Sequence, residues 1–308
     1  MDLVAHLYAA LNVTLPLLLI LLAGIVFRRI RLVDEHFVAT GNRLVFKVAL
    51  PCLLFLSVAG RSTGESINVT LVVFGLVATL LSVLLVWWIA PFIVDKPKRG
   101  VFTHIAFRGN MGIIGLALCV NAFGDDIIAM AAVYLAFVTV LYNVSAVLLL
   151  SNSRSMLLIN LVKNPLIVAI LLGGLWSYWQ VPLPDIVNLS LGYLAQLTLP
   201  LALVCIGASL EWQSLKANHK QALAAVSLKL VILPTVIVVC AILFGIEGDA
   251  LGVLFLMMAT PTAAAAYVMS HQMTPYGNLA AEVITLSTLL SPISVTLGLV
   301  VLNYMSLI

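Results

Sequence analysis

The sequence predicts an all-helical membrane protein of ten transmembrane helices, arranged as two inverted five-helix repeats with crossed, broken helices 4 and 9. Three observations carry that fold class. Of the 308 residues, 63% are hydrophobic and only 9% are charged, a balance that a water-soluble globule does not tolerate. Apolar runs of about 20 residues, the length that crosses a hydrocarbon core of roughly 30 Å, recur along the whole chain between short polar breaks. Finally, Pro16, Gly24 and Pro51 each have an identical residue 149 positions later, at Pro165, Gly173 and Pro200, and each pair falls at the same depth of the same-numbered run. The chain reads as one unit written twice.

The runs, in order, begin with residues 8–27. This first run could pass for a signal peptide, but nothing basic precedes it and it is long for such a core, so it reads as a retained helix. The second, 42–60, holds Pro51; the third, 68–93, precedes the basic loop Lys96, Lys98, Arg99; the fourth, 101–121, is glycine-rich at its centre; the fifth, 127–150, completes a first repeat of residues 1–152. The polar stretch from Ser151 to Asn164 is too short to fold alone and reads as a linker into the second repeat, residues 153–308. There the sixth run, 161–179, starts at Lys163-Asn164-Pro165; the seventh, 188–210, holds Pro200; the eighth, 221–244, holds Lys229; the ninth, 250–270, holds Pro261; the tenth, 280–304, ends the repeat.

Lys and Arg placement gives orientation. Arg28, Arg29 and Arg31 follow the first run, with Arg43 and Lys47 just beyond and reading as interfacial anchors; Lys96, Lys98 and Arg99 follow the third; Arg154, Lys163, Lys216 and Lys220 follow the fifth and seventh; the opposite side offers only Arg61. These loops are expected in the cytoplasm, both termini outside, and the chain in a plasma membrane, the bacterial inner membrane. Five spans per repeat is an odd number, so the second repeat enters from the opposite face and the pair is inverted. The net charge of +3 is then a topology signal, not a nucleic-acid footprint. Cys52, Cys119, Cys205 and Cys240 all lie inside apolar runs without metal or redox spacing and read as packing residues. No HExxH, GxSxG, Walker or GxGxxG pattern occurs; no catalytic residue, cofactor or metal is expected, and the chain does not read as an enzyme.

The chemistry is sought where helices are interrupted. Phe107-Arg108-Gly109-Asn110-Met111-Gly112-Ile113-Ile114-Gly115 sets three glycines and an amide into the middle of the fourth run, each glycine costing a helix up to about 1 kcal/mol against alanine. Met258-Ala259-Thr260-Pro261-Thr262-Ala263 does the same in the ninth, where the proline removes a donor and crowds the preceding turn. The offset of the first repeat matches pairs Gly112 with Pro261. Matched interruptions are a sequence pointer to a transporter's binding site, since backbone freed in lipid is tolerated only against protein or a wet cavity. Two half-helix N-termini meeting there would offer free N–H groups to an anion, with Asn110, Thr260 and Thr262 adding side-chain hydrogen bonds. The plainer reading is close helix packing at the glycines and a simple kink at Pro261.

Charges inside the runs are the second clue, each costing on the order of 3 kcal/mol at a helix centre. Arg108 lies a third of the way into the fourth run with His104 one turn earlier on the same face; Lys229 lies deep in the eighth; Glu282 opens the tenth. Lys229 is too far from either end to snorkel and should pair with an acid or with carbonyls. Arg108 reads either as an interfacial group or as the counter-charge of an anionic substrate, and His104 as a neutral packing residue before a proton relay.

At this point the residues resemble a known family. Ala49-Leu50-Pro51-Cys52-Leu53-Leu54-Phe55, Arg108 to Leu116, Lys229-Leu230-Val231-Ile232-Leu233-Pro234 and Ala259-Thr260-Pro261-Thr262-Ala263, in this order along the whole chain, are similar to the auxin efflux carrier family, which is related in fold to bile acid/sodium symporters. Its bacterial members are described as carriers of malonate, malate and related carboxylates; plant members export auxin, an aromatic carboxylate. The resemblance implies a secondary active transporter of a small organic anion, with helices 1, 2, 6 and 7 as scaffold and helices 3–5 and 8–10 as a transport domain moving as an elevator. Asn110 and Pro261 match the family's crossover positions, and the substrate contacts expected from the interrupted runs are Arg108, Gly109, Asn110, Met111, Gly112, Thr260, Pro261 and Thr262. From the charges inside the runs, coupling or charge compensation is expected at Lys229, His104 and Glu282, where Lys229 reads either as a structurally paired residue or as holding the position of a coupling cation in sodium-driven relatives. The chain departs from the family at Gly112, where a proline is common. The alternatives are a sodium or proton exchanger of the same fold and a membrane sensor that binds without transporting. The expected partners are the substrate anion, the lipid bilayer and a second copy of the chain through the scaffold helices. Substrate identity, direction and the coupling ion, Na+ or H+, are not legible.

Overall fold

A computed structural model describes residues 3–60, 68–150, 164–210 and 219–308. Arg61, Arg154, Lys163, Lys216 and the repeat boundary at 152/153 lie outside the described residues. Among those described the chain is all-helical, without a strand. In chain order the helices are α1 Leu3–Arg29, α2 Glu35–Ala59, α3 Val69–Phe92, α4 Arg99–Phe107, α5 Met111–Phe123, α6 Asp125–Leu150, α7 Pro165–Trp179, α8 Asp185–Ala208, α9 His219–Leu243, α10 Gly248–Met258, α11 Ala264–Met273 and α12 Gly277–Tyr304. Among the described residues seven of these, α1, α2, α3, α6, α8, α9 and α12, are long and apolar enough to cross a membrane. Shorter apolar helices are α5, α7 and α10. The fourth run is divided into α4 and α5, and the ninth into α10 and α11, so neither offers one continuous span.

Local sequence explains the ends and irregularities. Asp34 and Asn68 cap α2 and α3 by accepting from the Phe37 amide at 2.7 Å and the Leu71 amide at 2.9 Å. Asn164 caps α7 by accepting from Leu166 at 3.0 Å, with Pro165 at the first position, where a missing N–H costs nothing. Three Leu-Pro pairs mark three helix irregularities. A π-turn over Val45–Ala49 precedes Leu50-Pro51, a turn at Leu197 precedes Leu199-Pro200, and a π-turn over Leu228–Ile232 precedes Leu233-Pro234. Each proline withholds a donor and its ring pushes back the carbonyl a turn earlier, and the ladder widens to absorb it.

Packing brings α1, α2, α7 and α8 together, with α2 against α7 and α1 against α8. Glycine sets both approaches. A β-carbon on Gly24 would fall 2.3 Å from the Val204 carbonyl oxygen and 3.1 Å from the Ala208 amide; one on Gly173 would fall 2.9 Å from the Phe55 carbonyl oxygen and 3.4 Å from the Ala59 amide. Val204 and Ala208 stand 149 positions after Phe55 and Ala59, the separation of the two glycines. The contact of α1 on α8 is therefore repeated as α7 on α2 with the halves of the chain exchanged. Around this group α3 packs on α6 and α4, α9 on α12 and α10, and α1 also meets α12 and α5. Large apolar side chains such as Trp88, Leu171, Ile186 and Ile293 point outward, the surface a bilayer covers.

Candidate functional site

The two interrupted helices cross at their breaks. Arg108-Gly109-Asn110 separates α4 from α5, and residues 259–263 separate α10 from α11. The Asn110 amide donates to the Pro261 carbonyl at 2.8 Å and the Ala263 amide donates to the Arg108 carbonyl at 3.1 Å, an antiparallel bridge centred on Gly109 and Thr262. The matching of Gly112 with Pro261 is thereby corrected. The paired residues are 153 positions apart, one helical turn more than the earlier offset, and Gly112 lies in the first turn of α5. The sequence alone could not show a turn gained between the matched prolines and glycines and the break. Gly109 has no room for a side chain, since a β-carbon would sit 2.3 Å from Thr260 Oγ1 and 3.0 Å from Lys229 Nζ.

Four helix ends converge here, and they are treated unequally. The carbonyl ends are satisfied from within: the Ile105 carbonyl of α4 accepts from Thr262 Oγ1 at 2.8 Å, the Met257 carbonyl of α10 accepts from Thr260 Oγ1 at 2.8 Å, and the Met258 carbonyl accepts from Lys229 Nζ at 2.6 Å. Lys229 is almost wholly buried, and its ammonium rests on the negative end of α10. Among the described residues a carbonyl is the hydrogen-bond partner the structure gives it. At the amide ends the first helical turns leave the N–H groups of Met111, Gly112 and Ile113 in α5, and of Ala264 and Ala265 in α11, without helical acceptors. All five residues line one cavity of about 430 Å³. The negative ends are thus capped by hydroxyls and an ammonium, while residues of both positive ends line the cavity.

Arg108 adds a full charge to that wall. Its guanidinium donates to the Tyr142 carbonyl at 3.3 Å and to Asn143 Oδ1 at 3.2 Å and lies over the Tyr142 ring, 5.5 Å from its centre. Tyr142 Oη in turn accepts from the Gly109 amide at 3.2 Å. The cavity takes in Arg108, Gly109, Asn110, Met111 and Gly112 from the residues singled out in the sequence. Thr260, Pro261 and Thr262 lie at the crossing but not on the cavity wall, their polar atoms spent on the contacts above. His104 is fully buried edge-on to Phe107, with neither ring nitrogen hydrogen-bonded among the described residues. Glu282 is fully buried on α12, the helix whose Ser287 Oγ accepts from the Thr262 amide at 3.1 Å. None of His104, Lys229 and Glu282 reaches the cavity.

Sequence reasoning missed the opposite walls. Asn42, Arg43 and Phe46 of α2, Thr139, Tyr142 and Asn143 of α6, and Asn164 at the start of α7 complete the cavity. Arg43, expected as an interfacial anchor, faces the same space as Arg108. Its spacing from Phe46 and Leu50, three and seven residues on, is that of one helix face, and polar Thr139, Tyr142 and Asn143 in a strongly apolar run were the second available signal.

The sequence pattern of the family described as membrane transport protein matches residues 10–155 and 147–299. Among curated relatives, a protein of Methanothermobacter thermautotrophicus described as an uncharacterized transporter is 27% identical, over 94% of this chain and 97% of its own length. Another from Methanocaldococcus jannaschii, also described as an uncharacterized transporter, is 24% identical over 82% of this chain and 86% of its own.

Proposed function

The chain belongs to the membrane transport protein family, the auxin efflux carrier-like group that its motifs resemble, and from that premise we propose that it carries a small organic anion, a mono- or dicarboxylate, by alternating access. The observation that carries this reading is the pairing of two helix N-termini on one cavity whose charged lining residues are Arg43 and Arg108. Unpaired amides and about half a positive charge at each helix start favour a carboxylate. A cation exchanger would need acids at this point, and among the described residues no Asp or Glu lines the cavity. Lys229, held on the Met258 carbonyl, supplies a fixed cation at the crossing and partly offsets the cost of moving an anion through hydrocarbon.

The architecture supports ten spans in two inverted repeats, the broken pairs α4/α5 and α10/α11 counting as one span each. The exchanged Gly24 and Gly173 contacts and the antiparallel bridge at Gly109 and Thr262 are what such a pair produces. With the Arg-rich end of α1 in the cytoplasm, the cavity opens inward, both termini lie outside, and the membrane is the plasma membrane. Helices α1, α2, α7 and α8 form the scaffold and the remaining helices the part that moves; a second copy would join through the scaffold, where Trp179 is exposed.

Counterflow tests the proposal. Proteoliposomes loaded with unlabelled malonate should take up labelled malonate faster than unloaded ones, and repeating this with and without sodium or pH gradients identifies the coupling ion. A sensor would show no acceleration by malonate, malate or an aromatic carboxylate, and that result would defeat the carrier reading.

A further inference from the structure

We infer that the substrate's other access path runs through a seam between α1, α5 and α12, shut in this structure and latched by Thr14 and Thr296. The inference rests on the carrier reading above and adds to it the residues that must part. The register that pairs Gly109 with Thr262 carries Thr139, Tyr142 and Asn143, on the wall of the open cavity, onto Pro292, Val295 and Thr296 of α12. The register that pairs Gly24 with Gly173 carries Leu166, on the same wall, onto Leu17 of α1. Thr139, Tyr142, Asn143 and Leu166 stand on the wall of about 430 Å³ of open space.

Their counterparts are closed on one another. Leu17, Pro292 and Val295 line a remnant of about 20 Å³, room for a single water at most. Beside it Thr14 Oγ1 and Thr296 Oγ1 are hydrogen-bonded at 2.8 Å, and Asn121 Nδ2 of α5 donates to the Val13 carbonyl at 3.0 Å. Equivalent walls are therefore wide on one side of the crossing and collapsed on the other. Packed interfaces of this kind have two arrangements and few between. The seam is also polar enough to be wetted: Ser291 lines the remnant with Thr14, so opening it presents hydroxyls, with Thr296 and Asn121 alongside. Exchange of the two arrangements would shut Asn143 and Leu166 toward each other and part Thr296 from Thr14.

The test uses the full chain in sealed proteoliposomes. In Thr14→Cys/Thr296→Cys, oxidation by copper phenanthroline should form a cross-link visible by mass, abolish malonate counterflow, leave malonate binding from the cavity side, and be reversed by reductant. Counterflow persisting in the cross-linked protein overturns the latch. Ser291→Cys should react with an impermeant maleimide only from the face opposite to that from which Val268→Cys, on the open wall, reacts, with the wild type and its native cysteines as background. Labelling of both from one face, or of Ser291→Cys from neither, overturns the seam. Thr296→Val removes the hydroxyl at nearly constant volume and should raise Ser291→Cys labelling without any cross-link; unchanged labelling again contradicts the latch. Absence of counterflow with malonate, malate and an aromatic carboxylate in the wild type would sink the carrier reading alone, because the sidedness of labelling is read without substrate and decides the seam by itself.

Discussion

A buried ammonium held by one backbone carbonyl is an expensive arrangement, and Lys229 keeps it with almost no solvent exposure. Removing it relieves that desolvation cost but leaves the buried Met258 carbonyl without its donor. Lys229→Met is expected to fold, with its melting temperature set by these opposed terms, while malonate counterflow falls to the protein-free background; unchanged uptake in the folded variant would show that the charge has no part in transport. Gly109→Ala makes the opposite case. Its β-carbon would meet Thr260 Oγ1 at 2.3 Å, so overpacking by about 1–3 kcal/mol is expected in thermal unfolding. Thr260→Ala in the same chain should recover part of that loss, and a neutral Gly109→Ala would mean that the crossing is looser than described. At this scale much was legible: three glycines and an amide in one apolar run, and a proline between threonines in another, mark both breaks. The roles of Thr260 and Thr262 were not, because a hydroxyl that caps a carbonyl and one that meets a ligand look alike in sequence. Arg43 was hidden for a related reason, since a span end and a cavity mouth coincide.

Between helices, the close approaches are set by single glycines, and their neighbours provide controls. A β-carbon on Gly24 meets the Val204 carbonyl oxygen, backbone that no rotamer change can move, whereas one on Gly174 meets nothing within 4 Å. Gly24→Ala and Gly173→Ala should both lower the melting temperature by forcing helices apart. Gly174→Ala should leave it unchanged or raise it, gaining up to about 1 kcal/mol of helix propensity. Equal effects at Gly173 and Gly174 would contradict the packing of α7 on α2. The Leu-Pro irregularities of α2, α8 and α9 were foreseeable as proline effects, but their form as π-turns or a simple turn depends on neighbours a single sequence does not display. The same limit explains the one-turn error in pairing Gly112 with Pro261: an offset measured on the matched prolines and glycines says nothing of a turn gained before the break.

Across the whole molecule the unequal treatment of helix ends becomes a field, carbonyl ends capped inside and amide ends open to the cavity with Arg43 and Arg108 beside them. Such a field should draw anions from the cavity side more strongly at low ionic strength, because exposed charges are screened over about 10 Å at 0.1 M salt. Malonate affinity measured from the cavity side is accordingly expected to weaken as salt is raised, and a salt-independent affinity would place the anion away from these charges. Overall class was open to sequence reading because composition and run length are global properties; the cavity was not, since it is made by faces of α2, α6 and α7 that meet only once the chain has folded. The most direct measurement is an experimental density map of the full chain with malonate. A carboxylate is predicted within hydrogen-bonding distance of the Met111–Ile113 amides, the Ala264–Ala265 amides or both. Malonate bound elsewhere, with the two helix starts capped by protein or lipid, would contradict the account.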